Sequence, residues 1–352
     1  MKASQALGEA KRLQQEMVDQ YRITRVLLRK EALSSSAIEG TNSTLDAILE
    51  TEEADIGAKP DKSATNQVRD YAVALERFLP EAAQYLRGIF DRKLLSDLHC
   101  AIMASDPDYQ DVPGRYRNRV VWIGGGQDIA YSIFNPPPPE LIPGLMEGVL
   151  EYMRAEGMES FHQSLITRMA VSHVHFEAVH PFRDGNGRAG RLLLPLMMAA
   201  EGEPALYLSP FIEANRPRYY DALKAGQQRL DYRPAISLMC RAITETVAEI
   251  SRTQDALDRL IQIWMARRKW RRNSAAEKLL YVLFDRPVIT VARAAATISV
   301  TFPAANQAIS QLVDAGILTE ITGHARNRMF RVKEVLSILN RPFGEEPVLP
   351  EE

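Results

Sequence analysis

Between the apolar run ending at Val179 and the run Leu192-Leu193-Leu194-Pro195-Leu196-Met197-Met198, the chain inserts His180-Pro181-Phe182-Arg183-Asp184-Gly185-Asn186-Gly187-Arg188-Ala189-Gly190-Arg191. A polar loop held between two apolar helices is where chemistry tends to sit. Gly185-Asn186-Gly187 tolerate left-handed backbone just before a helix begins, so successive N–H groups can turn inward on an anion and the helix adds its positive end. Arg188 and Arg191, three apart, share one helix face and can fork onto phosphate oxygens. Asp184 offers the hard oxygen that a Mg2+ bridging phosphates takes. His180, with an ordinary pKa of about 6.5, suits a general base acting on an attacking hydroxyl. Taken singly, each has a blander reading as a helix-end histidine, an Asn-Gly turn or a capping aspartate. Their joint spacing points to a polyphosphate site. A metal site built from His173, His175 and His180 is set aside, because positions two apart on a helix point about 200° apart.

The same residues fit every defined position of the signature His-x-Phe-x-(Asp or Glu)-Gly-Asn-Gly-Arg-x-x-Arg, and the chain resembles the Fic (filamentation induced by cAMP) family over most of Pro113 to Leu238. HVHFEAVHPF upstream and the segment PGRYR share in the likeness. The resemblance implies a protein adenylyltransferase that uses Mg·ATP, in which His180 deprotonates a Ser, Thr or Tyr hydroxyl of a protein and that oxygen attacks the α-phosphate, expelling pyrophosphate. It further implies Asp184 as the Mg2+ ligand and Gly185, Asn186, Gly187, Arg188, Ala189, Gly190 and Arg191 as the nucleotide loop. Tyr219 and Tyr220 resemble the family's adenine-side pair, and Gln227 stands where relatives often carry Asn. Val121, Trp122, Ile123 and Gly124 resemble the flap that aligns an extended target by strand addition.

Ser35-Ser36-Ala37-Ile38-Glu39-Gly40 has the form (Ser or Thr)-x-x-x-Glu-(Gly or Asn), which resembles the family's inhibitory helix and implies a class II member. In that reading Ser35, Glu39 and Gly40 form the brake, and Glu39 engages Arg191 so that ATP binds unproductively. The competing local reading is a capping box, Ser36-x-x-Glu39, opening a helix; both can hold together.

Along the rest of the chain, apolar residues at near-helical spacing (Leu13, Met17, Tyr21, Leu28) indicate N-terminal helices, interrupted by a polar run from Ser34 to Thr44 and continuing from Leu45 to Leu86 around a polar loop at Gly57 to Ser63. DVPGRYRNRVVWIGGGQDIAYSIFNPPPP reads as a β-hairpin that leaves stiffly through four prolines into a helix from Pro143 to Ala155. Helices run on to about Trp264, and RKWRR at Arg268 to Arg272 marks a boundary. The following segments resemble a winged helix-turn-helix, with a third helix at Phe302 to Ala315 and a wing at Ile317 to Val332. Thirteen basic against five acidic residues between Gln262 and Arg341 make that stretch +8 in a chain of formal net charge −2, which leaves −10 elsewhere. Asn306, Gln307, Ser310 and Gln311 could face bases, and Arg326, Arg328 and Arg331 phosphates, yet the third helix has no Lys or Arg of its own. DNA contact therefore stands below a protein-docking or homodimer role.

The expected fold is mainly α: an N-terminal helical segment with the inhibitory helix (1–90), a helical core with a β-hairpin flap (91–262), a winged-helix domain (263–344) and an acidic tail (345–352). No apolar run of about 18 to 20 residues suggests a membrane span, and the N-terminus lacks an apolar signal core. Cys100 and Cys240, each in an apolar stretch, read as reduced core thiols, which with the missing signal suits a cytoplasmic protein. Two rivals remain: an enzyme that removes AMP or transfers another nucleotide, and a DNA-binding regulator whose Fic core senses nucleotide.

Overall fold

The computed structural model describes residues 2–20, 23–54, 64–126, 128–157, 163–323 and 327–350, with side chains from residue 23 onward and in 2–12. Helix dominates the order: α1 (Lys2–Gln20), α2 (Thr24–Ile38), α3 (Leu45–Ala54), α4 (Ala64–Tyr85), α5 (Arg92–Ile102), α6 (Ile142–Arg154), α7 (Leu165–Val179), α8 (Asn186–Ala200), α9 (Ser209–Ala214), α10 (Arg216–Arg229), α11 (Arg233–Arg267) and α12 (Ala275–Asp285). There follow β1 (Val288–Thr290), α13 (Val291–Thr297), α14 (Phe302–Asp314), β2 (Thr319–Glu320), β3 (Met329–Arg331) and α15 (Lys333–Asn340). The side chains of Leu13, Met17 and Tyr21, and the loop from Gly57 to Ser63, lie outside the described residues. The chain divides into two units, one of Met1–Lys11, Glu31–Asn42 and Asp61–Thr246, the other of Arg12–Lys30, Ser43–Pro60 and Val247–Glu352.

In the first unit α8 is the central helix. Its sequence is apolar on every side, and Leu192, Leu193, Leu194, Leu196, Met197 and Met198 are all buried against α4, α5 and α7. Fully burying such a side chain contributes about 1.5–3 kcal/mol. The helix starts are fixed locally: Asp91 Oδ1 accepts from Leu94 N (2.7 Å) at α5, and Ser164 Oγ accepts from Thr167 N (3.2 Å) at α7. Past the end of α8, Glu201 collects Arg87 (2.6 Å) and the buried Arg168.

Three expectations change here. The polar run at Ser34 does not end α2, which continues to Ile38 because Ser34, Ser35 and Ser36 point inward and are buried. Ser36-x-x-Glu39 is consequently no capping box: it closes a helix, with Glu39 N and Thr41 N both donating to Ser36 O (3.0 Å), and Thr44 caps the next helix through Ala47 N (3.1 Å). Cys100 is exposed and Cys240 half-buried, both free thiols, since α5 turns Leu95, Leu98, His99 and Ile102 inward and leaves Cys100 on the outer face.

The expected hairpin is reduced to a single antiparallel bridge, Ile123 with Phe134, among the described residues. Ile123 N donates to Phe134 O (2.9 Å), and Ile133 N returns to Ile123 O (2.7 Å). Left-handed backbone at Gly124, Gly125 and Gly126 on one side and the proline run on the other leave no room for longer ladders.

In the second unit β1, β3 and β2 form an antiparallel sheet in that spatial order, pairing Ile289 with Phe330 and Glu320 with Phe330. α12, α13 and α14 pack together, and Trp264, fully buried, stacks on Phe284 (5.2 Å, 7°) and donates Nε1–H to Glu334 (2.6 Å). Of the arginines in the expected wing, Arg328 donates to Asn306 Oδ1 (2.7 Å), and Arg331 lies 3.5 Å from Asp46 with its Nε unpartnered. Arg326 lies outside the described residues. On α14, Gln307 and Ser310 are exposed, but so are Phe302 (57%) and Asp314, a face with no cation for phosphate. Among the described residues no helix is long and apolar enough to cross a membrane.

Candidate functional site

α7 ends where His180 turns into left-handed backbone (φ 51°, ψ 63°), its N–H still donating to Phe176 O (2.9 Å). That turn lifts the half-buried imidazole off the helix and starts the loop. Nδ1 faces the Glu177 carbonyl (3.4 Å), which leaves Nε2 as the proton acceptor. Burial, and after it the Arg117 charge, holds the His180 pKa below its ordinary value, so the imidazole is neutral at neutral pH.

The loop is braced from inside. Asn186 Oδ1 accepts from Phe182 N and its Nδ2 donates to Phe182 O, both at 2.8 Å, clasping the loop across the helix start. Gly185 takes φ 76° at the cap of α8, a conformation that any other residue would adopt under strain. Asp184 is exposed, with Oδ1 receiving Gly185 N (2.6 Å). Ala189 and Gly190 are buried in the first turn, where Ala189 N donates to Gly185 O (3.0 Å).

Arg188 and Arg191 are both buried but differ in company. Arg188 has a weak partner in Met103 Sδ (3.2 Å) and Asp106 at 3.6 Å, and its Nε and one Nη have no hydrogen-bond partner. Unpaired buried guanidinium N–H groups are costly, and an oxyanion would satisfy them. Arg191 is saturated: Nε donates to Ser35 Oγ (2.9 Å), and Nη2 to Ser35 O (2.9 Å) and Glu39 Oε1 (2.7 Å). Burial alone would raise the Glu39 pKa, yet Arg191 reverses this and the carboxyl is held below its usual range. Gly40, at φ 89°, lets the chain leave α2 just past Glu39. A Cβ on Gly187 would collide with the Glu39 carboxylate, so that carboxylate occupies the mouth of the loop, at the positive end of α8.

The remaining sequence candidates are placed unevenly. Tyr219 is buried and its hydroxyl meets His173 Nε2 (2.9 Å), whereas Tyr220, 5.3 Å from it ring to ring, is 48% exposed. Only Tyr220 of the expected pair therefore faces outward; an adjacent pair on one helix cannot share a face. Gln227 is half-buried, and it is Gln228 that reaches the flap, donating to Ile133 O (3.0 Å). Val121, Trp122 and Ile123 are half-buried and Gly124 is exposed, with Trp122 Nε1 on Gly126 O (3.0 Å). His173 and His175 have separate partners, Tyr219 and Tyr232 (3.0 Å).

Three residues escaped the sequence reading. His99, fully buried, stacks on Phe182 (3.8 Å, 16°), accepts Gly114 N at Nδ1 (2.8 Å) and so donates Nε2–H to Asp184 O (3.0 Å); burial holds its pKa down to about 4. Arg117 donates to the His180 carbonyl (2.8 Å). Glu177 lies buried one turn before His180, Oε1 without a partner, and burial pushes its pKa up to about 8, so it is neutral near pH 7. Because an unfolded chain would ionise this carboxyl above about 4.5, Glu177 costs the fold stability that grows as pH rises from there to about 8, reaching a few kcal/mol. Glu177→Gln should lack this penalty: its Tm relative to the parent is expected to climb by several degrees between pH 5 and pH 8. Parallel melting curves at the two pH values would contradict the burial argument.

A model of the Fic/DOC family matches residues 89–198, and a model of that family's N-terminal region matches residues 1–78. The chain is 31% identical over 118 residues to a probable protein adenylyltransferase of Aquifex aeolicus, covering 34% of this chain and 32% of that one. It is 28% identical over 270 residues to protein adenylyltransferase Fic of Nematostella vectensis, covering 69% and 57%. The chain thus spans from 32% to 57% of the length of these two curated relatives. A Fic family protein of Desulfovibrio desulfuricans shares its fold at a TM-score of 0.55 and 18% identity, over 94% of this chain and 95% of that one. A Fic domain containing signaling protein of Bacteroides thetaiotaomicron does so at 0.55 and 19%, over 71% and 97%. The two matched segments carry the braced loop of residues 180–191 and the helix that delivers Glu39 to it, and the chain belongs to the Fic/DOC family.

Proposed function

We propose that the chain is a protein adenylyltransferase, transferring AMP from ATP to a hydroxyl side chain of a protein and restrained by its own Glu39. The carrying observation is the contrast between two buried arginines on one helix face, Arg188 with unpaired N–H groups and Arg191 filled by Ser35 and Glu39. The vacant donors fit a phosphate, and the filled ones fit a brake. The fit extends to the backbone, where the left-handed Gly185 leads into the positive end of α8 and the Glu39 carboxylate already sits against Gly187.

On this reading His180 Nε2 takes the proton of the incoming hydroxyl, whose oxygen bonds to the α-phosphorus as the bond to the β-phosphate bridging oxygen breaks and pyrophosphate leaves. The lowered pKa favours the neutral base that this step needs. Asp184 would hold Mg2+, which shields phosphate charge when bound; a single exposed carboxylate suits an ion held mainly by phosphate oxygens and water. Ser35, Glu39 and Gly40 form the inhibitory end of α2, Tyr220 flanks the adenine, and the flap aligns the target.

Residues 263–344 we read as a winged helix used for docking to protein or to a second copy. Of its described wing arginines, Arg328 is engaged by Asn306 and Glu320 and Arg331 lies beside Asp46, while α14 presents Phe302 and Asp314. The reaction is tested with ATP labelled on the α- or the γ-phosphate: α-label is expected on protein and γ-label in released pyrophosphate. γ-Label on protein would overturn the assignment, and loss of AMP from a premodified protein would redirect it to the reverse reaction.

A further inference from the structure

Arg117 is buried, 4% exposed, and lies within ion-pair distance of no carboxylate among the described residues. Buried arginines without a counter-charge are rare and need every N–H satisfied. Here the acceptors are all backbone carbonyls. Nε donates to His180 O (2.8 Å), one Nη to Arg119 O (2.8 Å), and the other to Pro137 O (2.7 Å) and Val179 O (3.3 Å), while the main-chain N–H of the same residue donates to Pro181 O (2.8 Å). Arg119 and Pro137 are the two roots of the flap, eighteen residues apart in sequence. Val179, His180 and Pro181 are the hinge on which the imidazole turns.

We infer that Arg117 is a positioning residue that sets the flap, and with it the target hydroxyl, in register with His180. The inference deepens the adenylyltransferase reading and rests on it for its kinetic half. One planar guanidinium reaches both flap roots and the histidine carbonyl at once, so a displacement of either root is felt at His180. Among the described residues the flap is otherwise held by the single bridge of Ile123 with Phe134 and by Gln228 at Ile133 O. The nucleotide loop, in contrast, is braced by Asn186 and by His99, neither of which involves Arg117.

A residue that chiefly aligns the acceptor should matter more for transfer to a protein hydroxyl than for transfer to water, since water needs no flap. The test uses the full chain carrying Glu39→Gly, with Arg117→Gln and Arg117→Lys added separately. AMP release without target, KM for ATP, and self-labelling by α-labelled ATP are measured together with amide exchange. In Arg117→Gln the ratio of self-labelling to AMP release is expected to fall at least tenfold with KM for ATP within about twofold, and Arg117→Lys should recover part of the ratio. Exchange should quicken in residues 119–134 while α7 and α8 stay protected. Equal loss of labelling and AMP release in a variant with unchanged α7 and α8 protection would overturn the proposal, as would an unchanged ratio. If Arg117→Gln does not fold, Arg117→Lys alone decides, by the same ratio and the same flap exchange. Absence of both AMP release and labelling in the Glu39→Gly parent would instead defeat the reaction assignment, and quickened or unaltered flap exchange would still confirm or refute the bracket.

Discussion

His180→Ala is expected to lower AMP transfer by roughly 100- to 10,000-fold, the range that a positioned general base contributes, with ATP affinity changed by no more than about twofold. The split follows from where the side chain sits. The imidazole stands at the end of α7 with Nδ1 toward the Glu177 carbonyl, while the loop is held together by Asn186, His99 and Gly185, none of which depends on the ring of His180. Removing the ring therefore takes away a proton acceptor and leaves the opening at α8 intact. Calorimetric ATP binding and initial rates of α-label incorporation separate the two quantities. A variant that loses both together would show that His180 supports the loop, and one that loses neither would remove it from the chemistry.

Glu39→Gly should act in the opposite direction, raising the initial rate of labelling about tenfold or more. Arg191 gives up one charge-assisted hydrogen bond, a contact worth about 1.5–3 kcal/mol in general and less here because the Glu39 side chain is 38% exposed. Ser35 keeps its two bonds to Arg191, so the helix end stays docked and the effect isolates the carboxylate. Glu39→Gln, which keeps the shape and loses the charge, is expected to fall between. Equal rates in parent and both variants would rule out a brake at this position.

The loop at 180–191 was readable because side chains of complementary type stand at short, fixed spacings in the sequence; its engagement by Glu39, 152 residues from Arg191, was readable only through the family resemblance. His99 and Arg117 were not, because their partners are backbone atoms: Asp184 O and Gly114 N for one, four carbonyls for the other. A carbonyl has no letter in the sequence. Only its burial in PGRYR next to a recognised loop could have pointed to Arg117. Helix boundaries at α6, placed after the proline run, and at α14, placed by likeness to a winged helix, came within a residue or so of expectation, whereas the flap failed as a hairpin because β-branched residues around three glycines do not reveal how strongly those glycines turn. The serines at 34–36 look like loop residues until Arg191 supplies a buried partner, which is a long-range fact. The apolar neighbours of Cys100 likewise describe the other side of α5.

Glu39 enters the loop from the turn that closes α2 in the same chain, and is not a freely diffusing inhibitor. Its effective concentration at Arg191 is therefore a constant of the fold, and diluting the protein cannot wash it away. Restraint of this kind sets a threshold against nucleotide instead of against protein abundance, so activity per molecule should be as low in a sparse solution as in a dense one unless some partner pulls the helix end aside.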